Sequence, residues 1–257
     1  LPAPPEMLHA VTMAKRLLLA AIPVALILGT TPALASAPTG ATPRVLFRAA
    51  EDSGRIAVDS SALGNDGRLL SNVSRVGGAY RFHPGVPRDR IRVKSHPSLN
   101  PGSEPFSYGA AVRVLPGAVW EHRGMAVVRH GDKDTPGGDY KLQLWRTSPD
   151  TAAAFCAMHD GSGGSGFVQG DGRLTTIDDG QWHTITCSRD PSAQTVSLTI
   201  DGFTVSRPDN DLGSIVGYDP LLIGTQPRNN GIGTREQFVG RMDNIRLAVG
   251  PLAAAVS

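Results

Sequence analysis

Beyond residue 35 the apolar positions of this chain alternate with polar ones, and they do not recur at helical spacing. "AAVRVLP" puts Val112 and Val114 on one parity. "DYKLQLWR" sets Tyr140, Leu142 and Leu144 on one face and Lys141, Gln143 and Trp145 on the other. "TVSLTIDG" gathers Val196, Leu198 and Ile200 opposite Thr and Ser residues. Such alternation predicts half-buried strands of antiparallel sheets. Many short strands, punctuated by Gly, Pro, Asn and Asp, predict a sandwich or a barrel. Asp201-Gly202 in "IDGF" predicts a tight hairpin, because both residues tolerate positive φ. Asp178 to Gly180 in "IDDGQW" reads as a second turn. In "FVGRMDNIRLAV", Phe238, Gly240 and Met242 share one parity, while Ile245, Leu247 and Val249 share the other. One extra residue at Asp243-Asn244, a β-bulge, reconciles the two sets and re-aims Asp243.

The first 35 residues follow a different pattern. Met13 opens a segment with Lys15 and Arg16, an apolar run from Leu17 to Leu28, and the small-x-small triplet Ala33-Leu34-Ala35. That order is the pattern of a secretory signal peptide, and the run is shorter than the ~20 residues a membrane span needs. Residues 1–12 then read as an over-extended start. The expected organisation is a start and signal peptide over 1–35, a linker over 36–43, one domain over 44–250 and a tail over 251–257. No membrane span is expected after signal cleavage, and the expected location is outside the cell. Arg outnumbers Lys by 21 to 4, a bias that points to a GC-rich bacterial source.

Charge and cysteine content narrow the chemistry. With 25 basic and 23 acidic residues, the chain gives no reason to expect nucleic acid as a partner. Cys156 and Cys187 are the only cysteines, and an even count in an exported chain favours a disulfide. His183 and Cys187 lie four residues apart along one predicted strand, about 13 Å. They are too far apart to act as nucleophile and base. No cluster of Cys and His has zinc spacing. "GSGGSG" at 161–166 fits a dinucleotide fingerprint, but strand and turn follow it where a helix is required, so it reads as a flexible rim loop.

Five segments in order carry a family resemblance. They are "EDSGRIAVDSSALGNDGRL" at 51–69, "GGAYRFHPG" at 77–85, "PFSYGAAVRVLP" at 105–116, "DGQWHTITC" with "LTIDG", and "LLIG" followed by "FVGRMDNIRLA". Together they resemble the laminin-G-like group of the concanavalin A-like jelly-roll superfamily, in its secreted bacterial form. The third segment departs from the pattern, with Ala111 or its neighbour where a Trp is usual. The resemblance implies an all-β, two-sheet antiparallel jelly-roll sandwich whose rim loops carry any ligand or metal.

It also implies candidate sites. Calcium-binding members place one Asp at the start of a mid-chain strand and another in a later loop. Asp139 matches the first, and Asp209 or Asp211, before "LLIG", the second. A further oxygen cluster is Asp59, Asn65 and Asp66, closed by Asp243, and calcium is the cofactor either cluster would hold. Alternatively, Asp243 only accepts backbone hydrogen bonds from that early loop. For a glycan, Trp120, Trp145 and Tyr218 are the candidate stacking platforms, with Trp182 assigned to the core. Laminarinase-like relatives use paired glutamates in E-x-D-x-(x)-E. Here Glu51, Glu104, Glu121 and Glu236 show no such pattern, and the Arg/Gln/His/Tyr set of alginate-lyase relatives is not visible. The expected function is a non-catalytic module that recognises a glycan or an extracellular protein. The alternatives are a polysaccharide hydrolase or lyase with atypical acids, or a structural envelope protein.

Overall fold

The computed structural model describes residues 40–252, except 52, 86–87, 119, 121–122, 133–134, 149–150, 171–176 and 228–233. The expected signal peptide, residues 36–39 of the linker, Glu121 and residues 253–257 of the tail lie outside the described residues. The strands begin with β1 (Thr42–Phe47), β2 (Ile56–Ala57), β3 (Gly67–Leu70), β4 (Ser74–Arg75), β5 (Tyr80–Phe82) and β6 (Arg90–Val93). They continue with β7 (Phe106–Val114), β8 (Gly124–His130), β9 (Asp139–Ser148), β10 (Thr151–His159), β11 (Ser165–Gln169) and β12 (His183–Asp190). The last are β13 (Thr195–Ile200), β14 (Phe203–Pro208), β15 (Leu221–Ile223), β16 (Gln226–Pro227), β17 (Thr234–Arg235) and β18 (Gly240–Val249). The one helical turn among the described residues is a 3-10 turn at Pro97–Leu99. Among them, no helix is long and apolar enough to cross a membrane.

Two eight-stranded antiparallel sheets result. One runs β14-β13-β12-β7-β18-β5-β4, with β1 also paired to β18; the other runs β11-β10-β9-β8-β15-β6-β3-β2. This is the jelly-roll sandwich that the alternation and the resemblance predict. Tyr140, Leu142 and Leu144 from one sheet and Val196, Leu198 and Ile200 from the other are buried in the shared core. The large residues Tyr80, Tyr108, Phe47, Phe82 and Phe106 fill it further. Buried phenols still need hydrogen bonds. Tyr108 donates to the Lys141 carbonyl at 2.9 Å and Tyr140 to that of Leu99 at 3.0 Å.

The β13–β14 hairpin turns on Asp201 (φ 49) and Gly202 (φ 88), the two-residue loop the sequence predicts. The bulge is also present. The pairing of β18 with β7 shifts between Asp243 and Arg246, and Asn244 takes φ 48. The shift lets Met242 and Ile245 both reach the core. β18 therefore serves two partners on one side, β5 through Gly240–Met242 and β1 through Ile245–Val249.

Cys156 and Cys187 form a disulfide with Cα atoms 5.7 Å apart. It joins β10 of one sheet to β12 of the other, so it crosses the sandwich. Trp182 departs from its expected place, because it is half-buried at the entrance to β12 and outside the core. His183 does not face Cys187 as a reactive partner. Its ring nitrogens contact Asp201 at 2.7 Å and Asp179 at 3.0 Å. Burial would lower its pKa, but these two carboxylates outweigh burial and raise it.

Candidate functional site

Three loops meet at one rim of the sandwich: 131–138 between β8 and β9, 160–164 between β10 and β11, and 209–219 before β15. Asp160 anchors the second and third of them. Its Oδ1 accepts from the amides of Ser162 at 2.7 Å, Gly163 at 3.0 Å and Gly164 at 3.0 Å. Its Oδ2 accepts from the amide of Gly213 at 2.8 Å, across 53 residues. Burial pushes the Asp160 carboxyl up, but the amide donors outweigh burial and hold it below its ordinary value. "GSGGSG" is therefore a pinned turn followed by β11. The third loop is tied to the first by Val216, whose amide donates to the Gly137 carbonyl at 2.8 Å. The backbones come close enough that only glycine fits at Gly138, where a Cβ would stand 2.1 Å from the His159 carbonyl oxygen.

Of the rim acids predicted from the sequence, Asp139 and Asp209 have partners. Asp139 is fully buried, 2.6 Å from His159 Nδ1 and 3.4 Å from an Arg129 nitrogen. Arg129 also donates to Asp132 and to the Gly131 carbonyl. Asp209 is buried, 3.4 Å from Arg189 Nε, and Arg189 donates to the carbonyls of Leu212 and Gly213. Asp211 is exposed, with φ 59. Among the described residues no three His, Cys, Asp or Glu side chains stand together as a metal-holding group. As placed, Asp139 faces an imidazole and a guanidinium, and Asp209 faces a guanidinium.

The early loop is similarly engaged. Asp59 accepts from the amides of Leu46 and Asn65 at 2.8 Å each, the Ser61 amide at 2.9 Å and the Ser61 hydroxyl at 2.6 Å. Asp66 Oδ1 accepts from the Asp59 amide at 2.8 Å. Asn65 donates to the Arg44 carbonyl at 2.7 Å and the Ser98 hydroxyl at 2.9 Å, tying the loop to β1 and the 3-10 turn. Asp243 does not take a hydrogen bond from this loop. Its Oδ2 accepts from Asn244 Nδ2 at 3.1 Å, and burial raises its pKa.

The candidate platforms differ sharply. Trp120 packs against the core with Arg146 over its ring at 4.7 Å, and Trp145 is half-buried on β9. Tyr218 is 76 % exposed on the third rim loop. The sequence reading missed Phe167, which is half-exposed on β11 and tilted against Phe155 at 5.5 Å. It also missed Asp160. An Asp directly before a Gly/Ser run is a turn-anchoring pattern that could have flagged it.

Beneath this rim His130 is fully buried and stacks on Tyr140 with ring centroids 5.0 Å apart. Burial lowers its pKa to about 4, against the opposing pull of Asp219 and Asp139. The unfolded chain takes up this proton near pH 6.5, while the folded one takes it up only near pH 4. Stability is therefore expected to fall as pH drops through that window. The unfolding midpoint measured from pH 7 to pH 4 checks this. The slope should flatten in His130→Phe, which keeps a ring and cannot take the proton.

A sequence profile of the laminin G type, described as the concanavalin A-like lectin/glucanases superfamily, matches residues 87–255. No curated protein matches the chain in sequence. Among solved structures, the binding domain of Paraclostridial mosquitocidal protein 1 superposes with a TM-score of 0.62 at 18% identity, covering 82% of this chain and 49% of that one. The binding domain of botulinum neurotoxin DC in complex with rat synaptotagmin II superposes with a TM-score of 0.59 at 11% identity, covering 83% and 49%. The same domain in complex with SialylT gives a TM-score of 0.57 at 11% identity, covering 83% and 49%. The chain thus spans about half the length of the solved domains it resembles.

Proposed function

The chain belongs to the concanavalin A-like lectin/glucanases superfamily, and we propose that it is a secreted, non-catalytic module that recognises a glycan or a protein surface through the Asp160 rim. The observation that carries this reading is Tyr218. It is 76 % exposed on a loop whose backbone is tied to two other loops. An aromatic held out on a pinned loop loses little conformational freedom on binding. The botulinum domain, about half of which this chain covers, is solved in complex with SialylT and with synaptotagmin II, which accords with a recognition role. Secretion accords with the disulfide between the sheets.

A glycan array and a pull-down from extracellular protein test the reading. Tyr218→Ala is expected to weaken the captured ligand by roughly tenfold, the cost of a central aromatic anchor. Its unfolding midpoint should change little, because the ring is largely exposed. Unchanged affinity in that variant would move the site elsewhere. Hydrolysis is the second reading, and one residue favours it. Glu236 is buried at φ 55, accepting from Gln143 Nε2 beside the outer face of β9. Product release from a polysaccharide, abolished in Glu236→Gln, would replace recognition with catalysis.

A further inference from the structure

The sheet that contains β18 carries a row of arginines on its outer face. Arg241 stands directly opposite Arg81 on β5 and Arg113 on β7. Their neighbours Met242, Tyr80, Val112 and Val114 are fully buried, so the arginines alternate outward. Arg81 is exposed, and Arg241 and Arg113 are half-buried. Strand spacing sets the three positions at intervals of about 4.8 Å.

Like charges directly opposite each other destabilise a sheet. This one holds two such pairs side by side. Nearby carboxylates do not neutralise them. Asp243, two residues along β18, accepts from Asn244, and the cation acting on it is Arg48. Asp179 accepts from the Gln181 amide and contacts His183. Among the described residues, no ion pair joins Arg81, Arg113 or Arg241 to an acid. Arg113 Nε donates to the Gly180 carbonyl at 2.6 Å, which fixes one end of the row. Trp182 precedes His183, the partner of Val112, so it continues the row beyond Arg113.

Beyond Asp243, Arg246 and the small residues Ala111 and Ala248, this face carries ranks of hydroxyls, and Arg246 donates to the Thr186 hydroxyl at 3.2 Å. Ser188, Ser197 and Ser206 lie in register across β12, β13 and β14, as do Thr186, Thr199 and Thr204. We propose that this face binds an acidic polysaccharide, with its carboxylate or sulfate groups on the Arg81–Arg241–Arg113 row and its hydroxyls over the Ser and Thr ranks. Guanidinium groups in a row suit repeated anions, each able to take paired hydrogen bonds. A membrane surface fits less well, because Trp182, the large ring placed on this face, is half-buried, and the Ser and Thr ranks add no apolar side chain to enter the acyl region. Nucleic acid fits less well because the chain's net charge is only +2. This site shares no residue with the Asp160 rim.

The test measures affinity for polygalacturonate, dextran sulfate, neutral dextran and phosphatidylserine vesicles at two salt concentrations. Arg68 and Arg92 supply the control, because they also stand directly opposite and exposed, but on the other sheet. The double variants R81Q/R241Q and R68Q/R92Q therefore lose equal charge. Wild type should bind at least one of the two polyanions and not neutral dextran. R81Q/R241Q should bind it roughly tenfold more weakly, with a shallower salt dependence, and R68Q/R92Q should stay within about twofold. Arg241→Lys keeps the charge without the fork and should fall between wild type and R81Q/R241Q. The unfolding midpoint of R81Q/R241Q should not drop, since the change relieves like-charge pairs. Equal losses in both double variants would reduce the effect to net charge and overturn the proposal. So would binding to vesicles alone, or no binding by wild type.

Discussion

Replacing Cys156 and Cys187 together with alanine is expected to lower the unfolding free energy by about 3–4 kcal/mol. The magnitude follows from the loop the bond closes, a separation of 31 residues, whose freedom returns to the unfolded chain when the link is cut. The position adds to it. β10 and β12 belong to different sheets, so no ladder of backbone hydrogen bonds joins them. Both cysteines are fully buried, so alanine avoids stranding a polar group in the core. For a domain of this size the unfolding midpoint should fall by roughly 10 °C. Denaturant unfolding with and without reductant gives the same comparison in the wild type. A loss below about 1 kcal/mol would mean that side-chain packing alone holds the sheets together.

Asp160→Ala is expected to cost about 2–4 kcal/mol, because it leaves four amides of two loops without their acceptor. Asp160→Asn keeps one acceptor oxygen and should cost less. The damage should be local. Limited proteolysis should open near 161–164 and 211–213 before the core strands, and Tyr218-dependent binding should weaken with it. The Asp160 carboxyl is held below its ordinary value. Its stabilisation is therefore present at neutral pH and is lost as pH falls through the lowered folded value. A variant whose melting and cleavage match wild type would show that the rim is shaped by its glycine contacts alone.

Short-range patterns made much of this architecture legible. Tyr140, Leu142 and Leu144 declare a buried face because strand parity is local. The bulge at Asp243-Asn244 could be read because Met242 and Ile245 both demand burial at incompatible parities. What was not legible depends on partners far apart in sequence. Asp160 looks like any turn residue until Gly213 is folded onto it. Trp120 looks like a free platform until Arg146 covers it. Nothing in the sequence shows that Arg129 comes to lie beside Asp139 and Arg189 beside Asp209. The arginine row is invisible for the same reason, since residues 81, 113 and 241 become neighbours only through strand register.

The position of β18 also bears on how the chain matures. It is the last of the described strands in chain order, yet it lies between β7 on one side and β5 and β1 on the other. Thr42 pairs with Val249, so the first described strand waits for the final one. Until residues 240–249 emerge, that sheet is split down its middle and neither half has a complete core to close on. Contacts spanning so much of the chain form slowly, because distant ends must meet before any stabilisation is gained. Closure of that sheet is thereby deferred until residues 240–249 are available, so the sandwich is expected to close as one unit and not strand by strand.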